Sequence, residues 1–126
     1  MAVDTVAEVV SGARRTDSQV LLLAVEEANR RVLEASRQDS TLEGMGTTLV
    51  AALENGQELY IASVGDSRAY LLDDDGFRAV TEDQTWVHDV GVPLGLEESS
   101  RCNHPMRHVL TMAIGAAHPL TVNYYA

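Results

Sequence analysis

The sequence contains no lysine, so all of its formal positive charge comes from arginine. Nine basic residues are set against 19 acidic ones, which gives a formal net charge of −10. A surface this acidic repels phosphate backbones, so nucleic acid is not expected as a partner. Aromatic residues make up only 5% of the chain, and the core is therefore expected to be built from aliphatic side chains.

Cysteine is also scarce, because Cys102 is the only one. A single cysteine cannot form a disulfide within the chain, which favours a reducing compartment, and an inert thiol is expected here. The first residues have no basic segment followed by a long apolar run, so no signal peptide is predicted. No stretch reaches the roughly 18 apolar residues that span a membrane. Together these absences predict a cytoplasmic protein that does not bind membranes.

The N-terminal third has helical periodicity. A first short helix is predicted from apolar residues at helical spacing, with Gly12 ending it: Val3, Val6, Ala7 and Val10. Asp17 or Thr16 is expected to cap a second helix that runs to Gln38. Its apolar stripe consists of Leu22, Val25, Ala28 (or Asn29), Val32 and Leu33. Ion pairs are expected at i,i+4 spacing, between Glu26 and Arg30 and between Glu27 and Arg31.

The period then changes to that of strands. Residues 47–53 are β-branched and apolar, and Asn55-Gly56 is a strong hairpin signal before a return strand at 58–64. Two further strands are predicted at 68–72 and 77–80, around the turn formed by Asp73, Asp74, Asp75 and Gly76. Residues 46–80 are therefore predicted to form one antiparallel meander.

The remaining segment, 81–126, gives mixed signals. A short helix is predicted at 84–90 and a strand at 120–125, with irregular chain between them. Helices at about 2–38, the meander and this mixed tail predict a single α+β domain, in which a helix pair packs on an antiparallel sheet.

Four runs in this order carry a family resemblance. They are 44–50 (Gly-Met-Gly-Thr-Thr-Leu-Val), 59–70 (Leu-Tyr-Ile-Ala-Ser-Val-Gly-Asp-Ser-Arg-Ala-Tyr), 80–87 (Val-Thr-Glu-Asp-Gln-Thr-Trp-Val), and His104-Pro105 before 109–115. In content and order they resemble the central motifs of bacterial protein phosphatase 2C domains, over about residues 1–118. The resemblance implies a β-sandwich of two antiparallel sheets flanked by helix pairs, of which this chain would be a truncated internal portion.

The resemblance also implies hydrolysis of phosphoserine or phosphothreonine at a two-metal site, with Mg²⁺ or Mn²⁺ held by several carboxylates. Most of those carboxylates have no counterpart here. The family's opening Arg and Asn-Glu-Asp signature and its Asp-Gly-Met-Gly-Gly loop are missing, and its later Ser-Asp-Gly and Asp-Asn motifs would lie beyond Ala126. The run from Glu43 to Gly46 imitates the missing loop only by coincidence, since it precedes the later strand. No catalytic or cofactor-binding residue is therefore assigned, and enzymatic activity stays open.

Asp66 is the one candidate metal ligand, as a peripheral site implied by the Gly-Asp-Ser-Arg motif. The alternative, which we favour, is a turn residue that bonds nearby backbone N–H groups, with Arg68 as its partner. The Asp73–Asp75 cluster is expected to be a solvated hairpin tip and Trp86 a core or interface anchor. The four histidines are expected at the surface or in packing: His88, His104, His108 and His118.

Three functions follow as hypotheses. The chain is an active phosphatase, a non-catalytic module that binds a phosphoprotein or a complementary fragment, or a self-associating module. Half of a sandwich leaves an apolar sheet face and open strand edges, which a homodimer would cover, with or without exchange of strands.

Overall fold

The computed structural model describes residues 1–97, 100, 104–107, 109–116 and 123–125. Two helices come first, α1 (Ala2–Gly12) and α2 (Ser18–Gln38), followed by a 3₁₀ turn at Ser40–Leu42. The strands and a short π-helix follow: β1 (Leu49–Asn55), β2 (Glu58–Val64), β3 (Tyr70–Asp73), β4 (Gly76–Ala79), the π-helix (Val87–Gly91) and β5 (Asn123–Tyr125). None of the described helices is long and apolar enough to cross a membrane.

Both predicted helices are confirmed. The first ends at Gly12, and the Asp17 side chain caps the second by accepting a hydrogen bond from the Val20 N–H at 3.0 Å. The buried face of α2 is shifted slightly from the predicted stripe, because Leu22 and Leu33 are only partly buried. Its fully buried residues are Leu21, Ala24, Val25, Ala28, Asn29 and Val32.

One of the two predicted ion pairs on α2 forms. Arg31 pairs with Glu27 at 3.0 Å, as predicted, and also reaches Glu8 on α1 at 2.9 Å. The predicted pairing of Arg30 with Glu26 is wrong, because Arg30 binds Glu27 at 2.7 Å. The hydrogen bonds from Arg30 and then Arg31 lower the pKa of Glu27 to about 2. This cluster ties the two helices together at the surface.

The first sheet has the order β1-β2-β5, with both pairings antiparallel. The predicted hairpin at Asn55-Gly56 is confirmed, but its turn is shifted by one residue. Asn55 pairs with Glu58, so the two loop residues are Gly56 and Gln57. Gly56 has φ +63°, and it alone supplies the left-handed conformation that the turn needs. The predicted strand at 120–125 is observed at Asn123–Tyr125, while 120–122 lie outside the described residues.

The prediction of one continuous meander is wrong. Strands β3 and β4 form a separate two-stranded sheet, and β3 does not pair with β2. The chain leaves the first sheet at Gly65, whose φ of +99° turns the backbone out of the direction of β2. The loop 65–69 therefore separates two sheets instead of connecting neighbours within one.

The core lies between α2 and the first sheet. Apolar residues from α1, α2, β1, β2 and the segment at 114 form it: Ala2, Leu21, Val25, Ala28, Val32, Leu49, Ala62, Val64 and Ile114. Ile114 and Thr47 exchange backbone hydrogen bonds of 2.8 and 3.0 Å, which bring the C-terminal segment back against the start of β1. A helix pair packed on an antiparallel sheet is thus observed, as predicted.

Candidate functional site

The candidate site is the turn that follows β2, with the sequence Gly65-Asp66-Ser67-Arg68. Gly65 is buried and has a positive φ. A Cβ atom at this position would lie 2.4 Å from the Cγ2 atom of Thr48. Only glycine therefore fits, both because of the backbone conformation and because Thr48, just before β1, passes so close.

Gln84 holds this turn through hydrogen bonds to Gly65. It is 5% exposed, and its side-chain oxygen accepts the Gly65 N–H at 2.7 Å. In return the Gln84 N–H donates to the Gly65 carbonyl at 3.0 Å, and the Gln84 carbonyl accepts the Thr111 N–H at 2.9 Å. Three separate segments of the chain are therefore joined at one buried glutamine. Sequence reasoning assigned no role to Gln84, although it lies within one of the four family runs.

Arg68 and Asp83 form an ion pair beside the turn. The Arg68 Nε donates to Asp83 Oδ1 at 2.9 Å and Nη2 donates to Oδ2 at 2.7 Å, a bidentate geometry. Hydrogen bonding to Asp83 raises the pKa of the Arg68 guanidinium. The predicted partnership of Arg68 with Asp66 is wrong. The Gly65 N–H donates to the Gln84 side chain and the Ala69 N–H donates to the Thr81 hydroxyl, and these bonds bring Asp83 alongside Arg68.

Asp66 itself is partly buried at the head of the turn. Next to it in the chain, the Ser67 hydroxyl lies 2.5 Å from the hydroxyl of Thr48, and both residues sit beside the close contact at Gly65. Within the described part of the chain, no group of three or more histidine, cysteine, aspartate or glutamate side chains is placed to hold a metal ion. Mg²⁺ and Mn²⁺ prefer several oxygen ligands, so these residues do not fit a two-metal centre. A single metal ligand at Asp66 stays a prediction.

The other acidic candidates lie away from this turn. Asp73, Asp74 and Asp75 form the exposed tip of the β3–β4 hairpin, as predicted, and Arg78 pairs with Asp73 at 3.2 Å. The run from Glu43 to Gly46 precedes β1, and within the described residues it belongs to no group of three or more potential metal ligands.

Trp86 is partly buried and packs against His104, with ring centroids 4.8 Å apart, so His104 has one of the two roles predicted for it. The predicted short helix at 84–90 appears as the π-helix that carries His88, whose ring nitrogen lies 3.8 Å from Glu82. Cys102, His108 and His118 lie outside the described residues.

The comparison with known proteins decides the family. The profile of the family described as Protein phosphatase 2C matches residues 5–90. The chain belongs to the protein phosphatase 2C family. A serine/threonine phosphatase stp from Listeria innocua is 36% identical over 101 residues, which are 80% of this chain and 40% of that protein.

Solved structures of serine/threonine phosphatases share the fold. That of S. agalactiae superposes with a TM-score of 0.88 at 26% identity, over 99% of this chain and 53% of that one. The catalytic domain of the phosphatase PstP, in complex with two manganese ions, superposes with a TM-score of 0.78 at 27% identity, over 98% of this chain and 52% of that one. The α+β fold predicted from the family runs is therefore confirmed as a partial phosphatase 2C fold.

The matches cover most of this chain but only part of each relative. The chain spans about 40% of the length of the Listeria relative and about half of the two solved chains. The family is metal-dependent, and the PstP structure is a complex with two manganese ions.

Proposed function

We propose that this chain is the scaffold portion of a metal-dependent Ser/Thr phosphatase 2C domain and does not by itself hydrolyse phosphoesters. Hydrolysis by two metal ions needs several carboxylates that converge on both ions. The observation that supports the proposal is the isolation of Asp66, which has no cluster of further ligands among the described residues. Hydrogen bonds from Gln84 hold the turn at Gly65, while no further group of ligands converges on Asp66 within the described residues.

In this proposal the residues around the turn hold the backbone in place and take no part in a reaction. Gln84 and the Arg68–Asp83 pair hold the backbone of 65–69, which places Asp66 at the end of β2. Mg²⁺ or Mn²⁺, where bound by a complete domain of the family, would supply an activated water. If this chain binds such an ion, Asp66 is the one candidate ligand that the sequence offers.

The test is hydrolysis of 4-nitrophenyl phosphate in the presence of Mn²⁺. We expect the rates of the wild-type chain and of Asp66→Asn to equal that of Mn²⁺ without protein. The full-length Listeria innocua relative serves as the positive control for the assay. Mn²⁺-dependent hydrolysis by the wild type that Asp66→Asn abolishes would show that a working site survives in this chain.

A second candidate function, self-association, is supported by the edge of the first sheet. Strand β1 is one of the two outer strands in the order β1-β2-β5, and a groove of about 280 Å³ lies between it and α1. Apolar side chains line most of this groove: Val3, Val6, Ala7, Val10, Leu21, Leu49, Val50, Ala51, Ala52 and Leu53. An open edge with apolar neighbours is a template for pairing with another strand, and residues 47–53 carry no charge to oppose a second copy.

We expect a homodimer through β1 at micromolar concentration, measured as mass by sedimentation equilibrium. Because each copy carries a formal charge of −10, added salt should strengthen the dimer. Ala52→Lys, at an exposed position of β1, should shift the protein to monomer, while Gln19→Lys on the exposed face of α2 should not. A monomeric mass for the wild type at all concentrations would rule this function out. A phosphoprotein partner, the other predicted partner, stays a prediction.

A further inference from the structure

A closed network of contacts joins His104 to Trp86, the only tryptophan of the chain. The Nδ1 atom of His104 accepts the Met106 N–H at 3.1 Å, and the Met106 carbonyl accepts the Val109 N–H at 3.0 Å. The Val109 carbonyl in turn accepts the Trp86 N–H at 2.8 Å. The rings of Trp86 and His104 close the network by stacking, with planes 27° from parallel. These four residues are called here the His104 network.

The His104 network depends on which nitrogen of the imidazole carries a hydrogen. Nδ1 accepts the Met106 N–H only when it is unprotonated, so the neutral ring carries its hydrogen on Nε2. A protonated imidazole has an N–H at both nitrogens, which would set two N–H groups against each other at this point. Histidine is the side chain that ordinarily gains this proton between about pH 8 and about pH 5.

Two neighbours act on a protonated His104 in opposite directions. The Arg107 guanidinium donates from Nη1 to the His104 carbonyl at 3.1 Å, so it would repel a second positive charge on the same turn. The face of Trp86 would attract the charged ring. This attraction does not require Nδ1 to point at Met106, so the ring can turn away from Met106 and keep it. The lost acceptor and the repulsion therefore decide the outcome, and the Met106 N–H is released.

The π-helix beside Trp86 carries the other titratable groups of this region. Its histidine, His88, has a ring nitrogen 3.8 Å from a carboxylate oxygen of Glu82. Its carboxylate, Asp89, accepts a hydrogen bond from the Thr111 hydroxyl. Both groups thus have polar partners other than His104, and the Met106 N–H is bonded to His104 itself.

We propose that His104 is a pH-sensitive switch, which holds 104–107 and 109–111 against 84–86 near neutral pH and releases them on acidification. Met106 is held by its N–H at His104 and by its carbonyl at Val109. Loss of the first bond lets this residue rotate, which weakens the second bond and with it the bond from Trp86 to Val109. The proposal is independent of the function proposed above, since the switch requires neither metal nor hydrolysis.

The test is amide hydrogen exchange of the Trp86 N–H, followed by NMR at about pH 7.5 and about pH 5.5 and expressed as a protection factor, which removes the intrinsic pH dependence. In the wild type we expect this factor to fall about fivefold on acidification, as for the net loss of one hydrogen bond. The Ile114 N–H, which donates to the Thr47 carbonyl at 2.8 Å, should keep its protection because the release is local. At the higher pH, nitrogen NMR should place the imidazole hydrogen of His104 on Nε2.

Two variants separate the acceptor from the ring. His104→Asn places an amide oxygen where Nδ1 lies along the side chain, so it accepts the Met106 N–H as in an Asx turn but does not titrate. Its Trp86 protection should be high at both pH values. His104→Phe keeps a ring to stack but has no acceptor, so its protection should be low at both. His88→Gln is the matched control and should keep the wild-type pH dependence.

Four results would overturn the proposal. Equal protection of the wild-type Trp86 N–H at the two pH values would mean that protonation opens nothing. A fall in His104→Asn as large as in the wild type would mean that another group titrates. Wild-type protection in His104→Phe would mean that the acceptor is not needed. A parallel fall at the Ile114 N–H would mean that acidification unfolds the whole chain.

Discussion

Replacing Gly65 with alanine is expected to lower the free energy of unfolding by about 3 kcal/mol, because a Cβ atom forces both backbone strain and overpacking at this position. The φ of +99° is unfavourable for any residue with a side chain. The added atom would also lie 2.4 Å from the Thr48 Cγ2 and 2.9 Å from its Cβ, so Thr48, just before β1, would have to move. The measurement is equilibrium unfolding in urea, followed by circular dichroism.

Gly56→Ala separates the two contributions to this loss. Gly56 also has a positive φ, of +63°, but a Cβ atom there would meet nothing within 4 Å. We therefore expect Gly56→Ala to cost only the backbone strain, about 1 kcal/mol. Equal destabilisation by the two variants would contradict the close packing of Gly65 against Thr48.

The second large effect is expected at Asn29, a polar residue in the core that is 2% exposed. Its side-chain oxygen accepts the Gly115 N–H at 2.7 Å, which ties α2 to the segment that pairs with the start of β1. Asn29→Ala leaves this N–H without its acceptor and opens space in the core. We expect a loss of about 2 kcal/mol in urea unfolding.

Glu26→Ala is the matched control, since Glu26 lies on the same helix and is exposed. It should change the stability by no more than about 0.5 kcal/mol. An Asn29→Ala protein as stable as Glu26→Ala would mean that the amide does not hold Gly115.

Local patterns were enough to predict the helices and the first hairpin. The periodic apolar residues of α2 and the Asp17 cap act within a few residues, so the sequence states them directly. The hairpin at Asn55-Gly56 is equally local, although the register that shifted its turn depends on pairing along the whole of β1 and β2. The family runs then supplied the fold, which periodicity alone does not determine.

The errors concern contacts between distant segments. A glycine after a strand indicates a break, but it does not say whether the next strand returns to the same sheet, and at Gly65 it does not. The partner of Arg68 is 15 residues away at Asp83, and that of Asn29 is 86 residues away at Gly115. Asp66 was predicted as the partner of Arg68 only because the two residues are close together in the sequence. Such partners are set by the way β1, β2 and 81–85 pack together.

Calorimetric titration with Mn²⁺ tests most directly the central claim that this chain has the phosphatase 2C scaffold without the two-metal centre. The account predicts binding of no more than one ion per chain, weakly, with the heat lost in Asp66→Asn and kept in Asp4→Asn on α1. Tight binding of two Mn²⁺ ions by the wild-type chain would contradict it.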